Sequence, residues 1–363
     1  MTLAPIEIHV ASPAHARTVV AMLSERDKCR YDPKSVLNYL ADLDPERICV
    51  WLVTRAGRCL GINAIYLRSL NTATGAMPVG YWAHLYVRPS ARKLMIYPRL
   101  VLEMMRWSRD AGLKIVYTGS RQQHVAAAHL QMGFRRLVTL PVLIQPLRPA
   151  TLVAARKAPR SPLAQFAARE IDRVFRGACR TVATAVHGRP QVSESLSCVW
   201  VNTLVAEGFC SPENAHVRTA WTVESWRRRF SATIEGDRYA CFALPDADRP
   251  KAGLLMRVAE RGTPSVRVGV LMDIFDKTPN ASYLRPLLRV AARAADDAGC
   301  AGVIAIEQTA SASAAVAAMR AEGYVRTSER YAIEAKAVGD NALPSQIEDA
   351  SAWLFNFGEH DAF

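Results

Sequence analysis

Residues 85–112 read LYVRPSARKLMIYPRLVLEMMRWSRDAG. An apolar strand end runs into Pro89, a basic turn holds Arg92 and Lys93, and a long helical pattern follows. Arg99, Glu103, Arg106 and Asp110 form one polar stripe of that pattern. Leu94, Val101, Met104, Met105 and Ser108 lie opposite, as helical periodicity requires of a helix packed on a sheet. Pro98 fits a first helical turn, where a missing N–H is tolerated. A strand, a turn and a helix N-terminus present unpaired N–H donors and a favourable dipole to an anion. The turn has no glycine to bring a phosphate close to the backbone. Whether it still works as an anion cradle decides most of what the chain can do.

Working outward, IEIHVAS reads as a strand, and Ser12–Pro13 opens a helix. A second helical stretch, DPKSVLNYLADL, follows. ICVWLVTRAG and CLGINAIYLRSL, around Gly57, read as a hairpin, and AMPVGYWAHLYV as a further strand. After the quoted helix come a strand (LKIVYTGS), a short helix (HVAAAHLQMGF) and a closing strand pair (RRLVTLPVLIQPL). The order is β α α β β β α β α β β, giving a first domain over residues 1–147. Residues 148–195 read as a basic helical connector. A second pass over 196–338 repeats the later half of that order with little identity in letters, an internal duplication of fold. The tail, 339–363, ends in SAWLFNFGEHDAF, whose aromatic residues are expected to pack.

A chain of 363 residues, half hydrophobic and 22% charged, is globular in composition. No apolar run reaches the roughly 18 residues that span a bilayer. The first residues lack a basic stretch followed by an apolar core, so the protein is expected in the cytoplasm. The eight cysteines form no CxxC pair and stand at no zinc-ligand spacing beside a histidine, so buried reduced thiols and no metal are expected. The formal charge of +13 favours anionic ligands. Nine Arg/Lys against Glu170 and Asp172 between Arg148 and Pro190 place a net +7 in the connector. Its helix, 163–187, carries Phe166, Ile171, Val174 and Phe175 near one face and opens a second reading, contact with the acidic inner face of a membrane. The chain has no GxxxxGK[ST], HExxH or GxSxG, nor a dinucleotide fingerprint after a strand. Trp200, Trp221 and Trp226 beside Arg227, Arg228 and Arg229 read as buried tryptophan next to a basic face rather than a nucleic-acid platform.

VRPSARKLMIYPRL, followed by HLQMGF, resembles the GCN5-related N-acetyltransferase family. Val87, Pro89, Arg92 and Leu100 stand at the family's V, P, R and L, and Gly133 and Phe134 at its GF. The resemblance implies an α/β (α+β) fold with two tandem GNAT-like domains, each a mixed, mostly antiparallel sheet flanked by helices. It also implies acetyl-CoA or another acyl-CoA as co-substrate. The pantetheine arm would lie along Leu85 and Val87, and the diphosphate on Arg92, Lys93, Leu94, Met95, Ile96 and Tyr97. Lys93, Met95 and Tyr97 replace the family's three glycines, and Pro98 removes a donor, so a weakened cradle is expected. His129 stands where the family often has an acidic tyrosine, and His84, on the strand before the turn, is the candidate base. In the second copy Met319 replaces that acid and Asp273 is the lone candidate base, so the first domain is the expected catalyst. Glu359, His360 and Asp361 form a polar cluster near the C-terminus. The implied activity is N-acyl transfer, by direct attack, to the amine of a sugar or small metabolite. Two other readings stay open: a catalytically silent ligand- or partner-binding protein, and a transferase that draws on aminoacyl-tRNA through the basic connector.

Overall fold

The computed structural model describes residues 4–27, 48–187, 217–231, 239–244, 252–261, 265–276, 281–307, 314–339 and 342–357. The expected helix at 32–43, residue 195 and the cluster at 359–361 lie outside them. In the first half, β1 (Glu7–Val10) precedes α1 (Ala16–Asp27). Then come β2 (Ile48–Arg55), β3 (Arg58–Thr72), β4 (Gly75–Val87), α2 (Ile96–Asp110), β5 (Ile115–Ser120), α3 (Gln123–Gln131) and β6 (Arg135–Pro146). Two connecting helices follow, α4 (Pro149–Lys157) and α5 (Pro162–His187). The second half has β7 (Arg218–Thr219), α6 (Val223–Ser231), β8 (Tyr239–Leu244), β9 (Ala252–Arg261) and β10 (Val266–Asp276). It closes with α7 (Ala281–Asp297), β11 (Gly302–Ile306), α8 (Ala314–Ala321), β12 (Val325–Ala337) and the short α9 (Ser345–Glu348).

Among the described residues the two halves are joined into one mostly antiparallel, twelve-stranded sheet. Its order is β1-β2-β3-β4-β5-β12-β6-β11-β10-β9-β8, with β7 added beside β3. Each half gives its last strand to the seam. β12, from the second half, pairs antiparallel with β5 of the first, from Ala332 opposite Ser120 to Ala337 opposite Ile115. β6, from the first half, pairs antiparallel with β11 of the second, from Gly302 opposite Pro146 to Ile306 opposite Val142. β6 and β12 then pair with each other. A boundary at residue 147 therefore divides the chain but not the sheet.

Local sequence explains the hairpins and the layering. Ala56 and Gly57 turn β2 into β3 with positive φ at both positions, the conformation two-residue hairpins prefer. β2 alternates Ile48, Val50 and Leu52 toward α1 with Cys49, Trp51 and Val53 toward α2. It is apolar from Ile48 to Val53 because both faces are covered there. The α2 stripe buries Ile96, Leu100, Val101, Met104 and Ser108, close to the expected set, with Met105 and Leu94 at its edge. On the face opposite α2, residues of both halves share one core, which the tail completes with Trp353, Phe355 and Phe357.

One element differs from expectation. Arg135–Pro146 form a single strand, β6, rather than a pair. Pro141 sits where the β6–β12 register shifts, so its missing N–H interrupts no regular ladder.

Candidate active site

β4 pairs with β5 in parallel only through Val79–Ile115, Gly80–Val116 and Tyr81–Tyr117. Beyond Tyr81 the two strands part, while the other edge of β5 stays paired with β12 from Ile115 to Ser120. Thr118 Oγ1 donates to Trp82 O at 3.0 Å across the start of the opening. On its other side β4 bulges. Ile62 faces Tyr86 and Ala64 faces Ala83, so His84 and Leu85 together oppose Asn63. His84 takes φ 55°, one of three non-glycine residues among those described with positive φ.

The bulge turns the His84 ring into a polar group that sequence alone did not reveal. Arg26, on α1, places Nη1 3.0 Å from His84 Nδ1, and Tyr66 Oη, on β3, lies 2.6 Å from Nε2. Arginine only donates, so Nδ1 accepts, and Nε2 carries the proton and donates to Tyr66. Beside it, Glu25 accepts from Tyr86 Oη and Arg88 Nε, each at 2.9 Å, which ties α1 to the end of β4.

The turn after β4 keeps the backbone of a glycine cradle without its glycines. Pro89–Leu94 form a 3-10 turn, and Met95 then caps α2 in the left-handed conformation, φ 54° and ψ 33°. Met95 is 63% exposed, so its side chain leaves the N-terminus uncovered, and Arg92 and Lys93 are exposed beside it. Tyr97 does the reverse. Its ring stacks on Trp82, with centroids 6.2 Å apart, and its hydroxyl is buried without a hydrogen-bond partner. Burial first, and the nearby Glu334 charge second, push this phenol well above its usual range. The first turn of α2 offers the N–H groups of Ile96 and Tyr97, while Pro98 offers none.

Behind Trp82 lies a buried polar pair. His129, on α3, is 3% exposed, and its Nδ1 is 2.7 Å from Oε2 of the fully buried Glu334, on β12. The other oxygen, Oε1, accepts from Arg136 Nη2 at 3.2 Å. The His129 ring lies 4.6 Å from the Trp82 ring, and Trp82 Nε1 donates to Oδ1 of the buried Asn63. Asn63 Nδ2 has no hydrogen-bond partner. Leu85 and Val87 pack in the same core, at the lip of the opening. Of the expected residues, His84 sits on the bulge of β4 against α1 and β3, and His129 is buried behind Trp82 against Glu334. Glu334, Asn63, Tyr66 and Arg26 were missed. In YAIEAKA, Glu334 shares its side with Lys336, opposite Tyr331, Ile333 and Ala335, so its burial left no trace in the sequence.

The second half repeats the opening in outline. β10 pairs with β11 in parallel at Gly269–Val303 and Val270–Ile304, and bulges at Met272. Asp273 follows the bulge, buried, and accepts from Arg218 Nη2 at 3.3 Å and Asn356 Nδ2 at 2.7 Å. Burial raises its carboxyl above the usual range, although Arg218 opposes this. Met319 is buried in the core beneath α7. Residues 277–280, the turn that matches the first-half cradle, lie outside the described residues.

Among the described residues Cys49, Cys59, Cys241 and Cys300 are buried, and burial pushes Cys49 up to about 12 and Cys300 up to about 11. Among the described residues no group of His, Cys, Asp and Glu could hold a metal ion. No helix among them is long and apolar enough to cross a membrane.

No protein-family model matches the chain, and no curated protein sequence matches it. Solved structures match along nearly its whole length. Saccharomyces cerevisiae N-myristoyltransferase with bound myristoyl-CoA superposes with a TM-score of 0.63 at 12% identity, over 92% of this chain and 83% of the other. A GCN5-related N-acetyltransferase from Anabaena variabilis gives 0.58 at 11% identity, over 92% and 73%. A tandem GNAT protein from the clavulanic acid biosynthesis pathway gives 0.58 at 13% identity, over 93% of this chain and all of the other, 100%. In fold, the chain therefore resembles these proteins, a tandem GCN5-related N-acetyltransferase among them, with its two halves sharing one sheet.

Proposed function

We propose that the protein is an N-acyltransferase that takes an acyl group from acyl-CoA, or another pantetheine thioester, and delivers it to an amine of a sugar or small metabolite. One observation carries this reading: the parting of β4 from β5 leads directly into a helix N-terminus whose cap is left-handed and uncovered. The residues present fit a thioester of this kind, in reduced form. The N–H groups of Ile96 and Tyr97, with exposed Arg92 and Lys93, would hold the diphosphate. Leu85 and Val87 would flank the pantetheine arm. The amine attacks the thioester carbonyl, the carbon–sulfur bond breaks, and the thiolate takes up a proton.

His84 is assigned the amine proton and His129 the thiolate proton. Glu334 holds the His129 ring with Nδ1 toward its carboxylate, so the proton would pass through Nε2 once the ring, buried behind Trp82, is reached by the thioester. In the arrangement described, Nδ1 of His84 faces Arg26, so His84 accepts a proton only when Arg26 moves aside.

That contact favours a second reading, a silent binding protein whose histidines are structural. Release of free thiol from a panel of acyl-CoAs, with amino sugars and small amines as acceptors, tests the two. Turnover that falls by about 10²–10⁴-fold in His129→Gln supports transfer. No turnover, together with no thermal stabilisation by any acyl-CoA, supports the silent reading.

A further inference from the structure

The two helices between the halves carry an apolar surface that the fold does not use. α4 and α5 form a hairpin. Asp172, buried on α5, turns back onto the opening of α4 and accepts from Ala150 N at 2.9 Å and Thr151 N at 2.7 Å. Ala168, one turn earlier on the same side, is also buried. These two positions fix the side of α5 that meets α4.

Much of α5 between Leu163 and Phe175 looks outward. Leu163, Phe166, Ile171, Val174 and Phe175 are between 58% and 81% exposed, and Val153 of α4 is 60% exposed. At 100° per residue the five fall on one broad arc, about 18 Å long along the axis. Single apolar side chains are ordinary on a surface, but five large ones on one arc mark a contact surface.

The border of the arc says what the contact is. Arg156, Lys157 and Arg160 are exposed around the hairpin turn, and Arg169 and Arg173 are exposed on α5 beside the Phe166 edge. Arg173 pairs with Glu170 at 2.6 Å, and Asp172 is buried, so the border stays cationic. A second copy of a chain with formal charge +13 would bring like-charged borders together. An anionic lipid surface meets both features at once, the arc in the acyl boundary and the cations among the headgroups.

We infer that the α4–α5 hairpin seats the protein on an anionic lipid bilayer. The inference is independent of acyl transfer.

Sedimentation of the full-length protein with vesicles of phosphatidylcholine, alone or mixed with phosphatidylglycerol, tests it. Binding to the mixed vesicles is expected, and it weakens as salt rises. F166S and F175S remove exposed side chains and leave the circular dichroism spectrum unchanged, and each weakens binding by about tenfold. R169Q weakens it by about fivefold. Equal affinity for uncharged vesicles overturns the inference, as does absence of binding to both. So does a dimer, seen by analytical ultracentrifugation, that F166S/F175S dissociates, because the arc would then belong to a second copy.

Discussion

Oε2 of Glu334 lies 2.7 Å from Nδ1 of His129, and 205 residues of chain separate them. The contact joins the last strand of the second half to the short helix of the first. Because Glu334 is fully buried, its replacement by alanine leaves the buried His129 Nδ1 without its partner, while the half-exposed Arg136 can turn to water. Glu334→Ala is expected to lower unfolding free energy by about 3 kcal/mol. A denaturant titration reads this as an earlier midpoint at unchanged slope. An unchanged midpoint would show that the pair contributes nothing to the seam.

The exchanged strands make a second expectation. Residues 1–147 alone would leave the β5 edge bare where β12 pairs, and β6 without either of its partners. This fragment should aggregate, and co-expression with residues 148–363 should recover a soluble complex. Size-exclusion chromatography distinguishes the outcomes, and a monomeric, folded 1–147 fragment would count against the single sheet.

Much of this was legible in the letters, but not the seam. Gly57 between two apolar runs gave the β2–β3 hairpin, and the stripe on 96–110 gave the buried face of α2. Both are local, set by turn conformation and helical period. Strand exchange is not local. RRLVTLPVLIQPL and RTSERYAIEAKA carry the same alternating character, so neither says which half's edge it joins. The site divided the same way. His84 and His129 were named from their place beside the turn and the GF, whereas Arg26 and Glu334 meet them through contacts that only the fold brings together.

Met95 holds a left-handed conformation that glycine adopts freely, and its side chain packs little. Met95→Gly is expected to raise stability by up to about 1 kcal/mol, the strain relief being partly offset by the freer unfolded chain. The same change should strengthen acyl-CoA binding, because a bare cap allows closer approach of phosphate. Differential scanning calorimetry with and without ligand measures both. A clear loss of stability would show that the cap relies on the methionine side chain.

Glu307 follows β11 and accepts from Arg326 Nε at 2.5 Å, Arg326 Nη2 at 2.8 Å and Arg320 Nη2 at 3.0 Å. Its hydrogen bond with Arg326 is the main cause holding the carboxyl below its ordinary 4.5. A depressed acid favours the folded state while ionised, so this contribution is present above 4.5 and is lost as pH falls through the lower folded value. Glu307→Gln should be less stable than the parent at neutral pH. The difference should shrink steadily in acid, as thermal melts across pH would show. A difference that stays constant with pH would mean that the charge of Glu307 plays no part.

The central claim is that the opening between β4 and β5, with the N-terminus of α2, receives an acyl-CoA. A crystal structure of the protein with a non-hydrolysable acyl-CoA tests it most directly. The account predicts diphosphate density against the amides of Ile96 and Tyr97, and the pantetheine arm between Leu85 and Thr118. Density lodged elsewhere, with Tyr97 still stacked on Trp82 across an empty cradle, would contradict it.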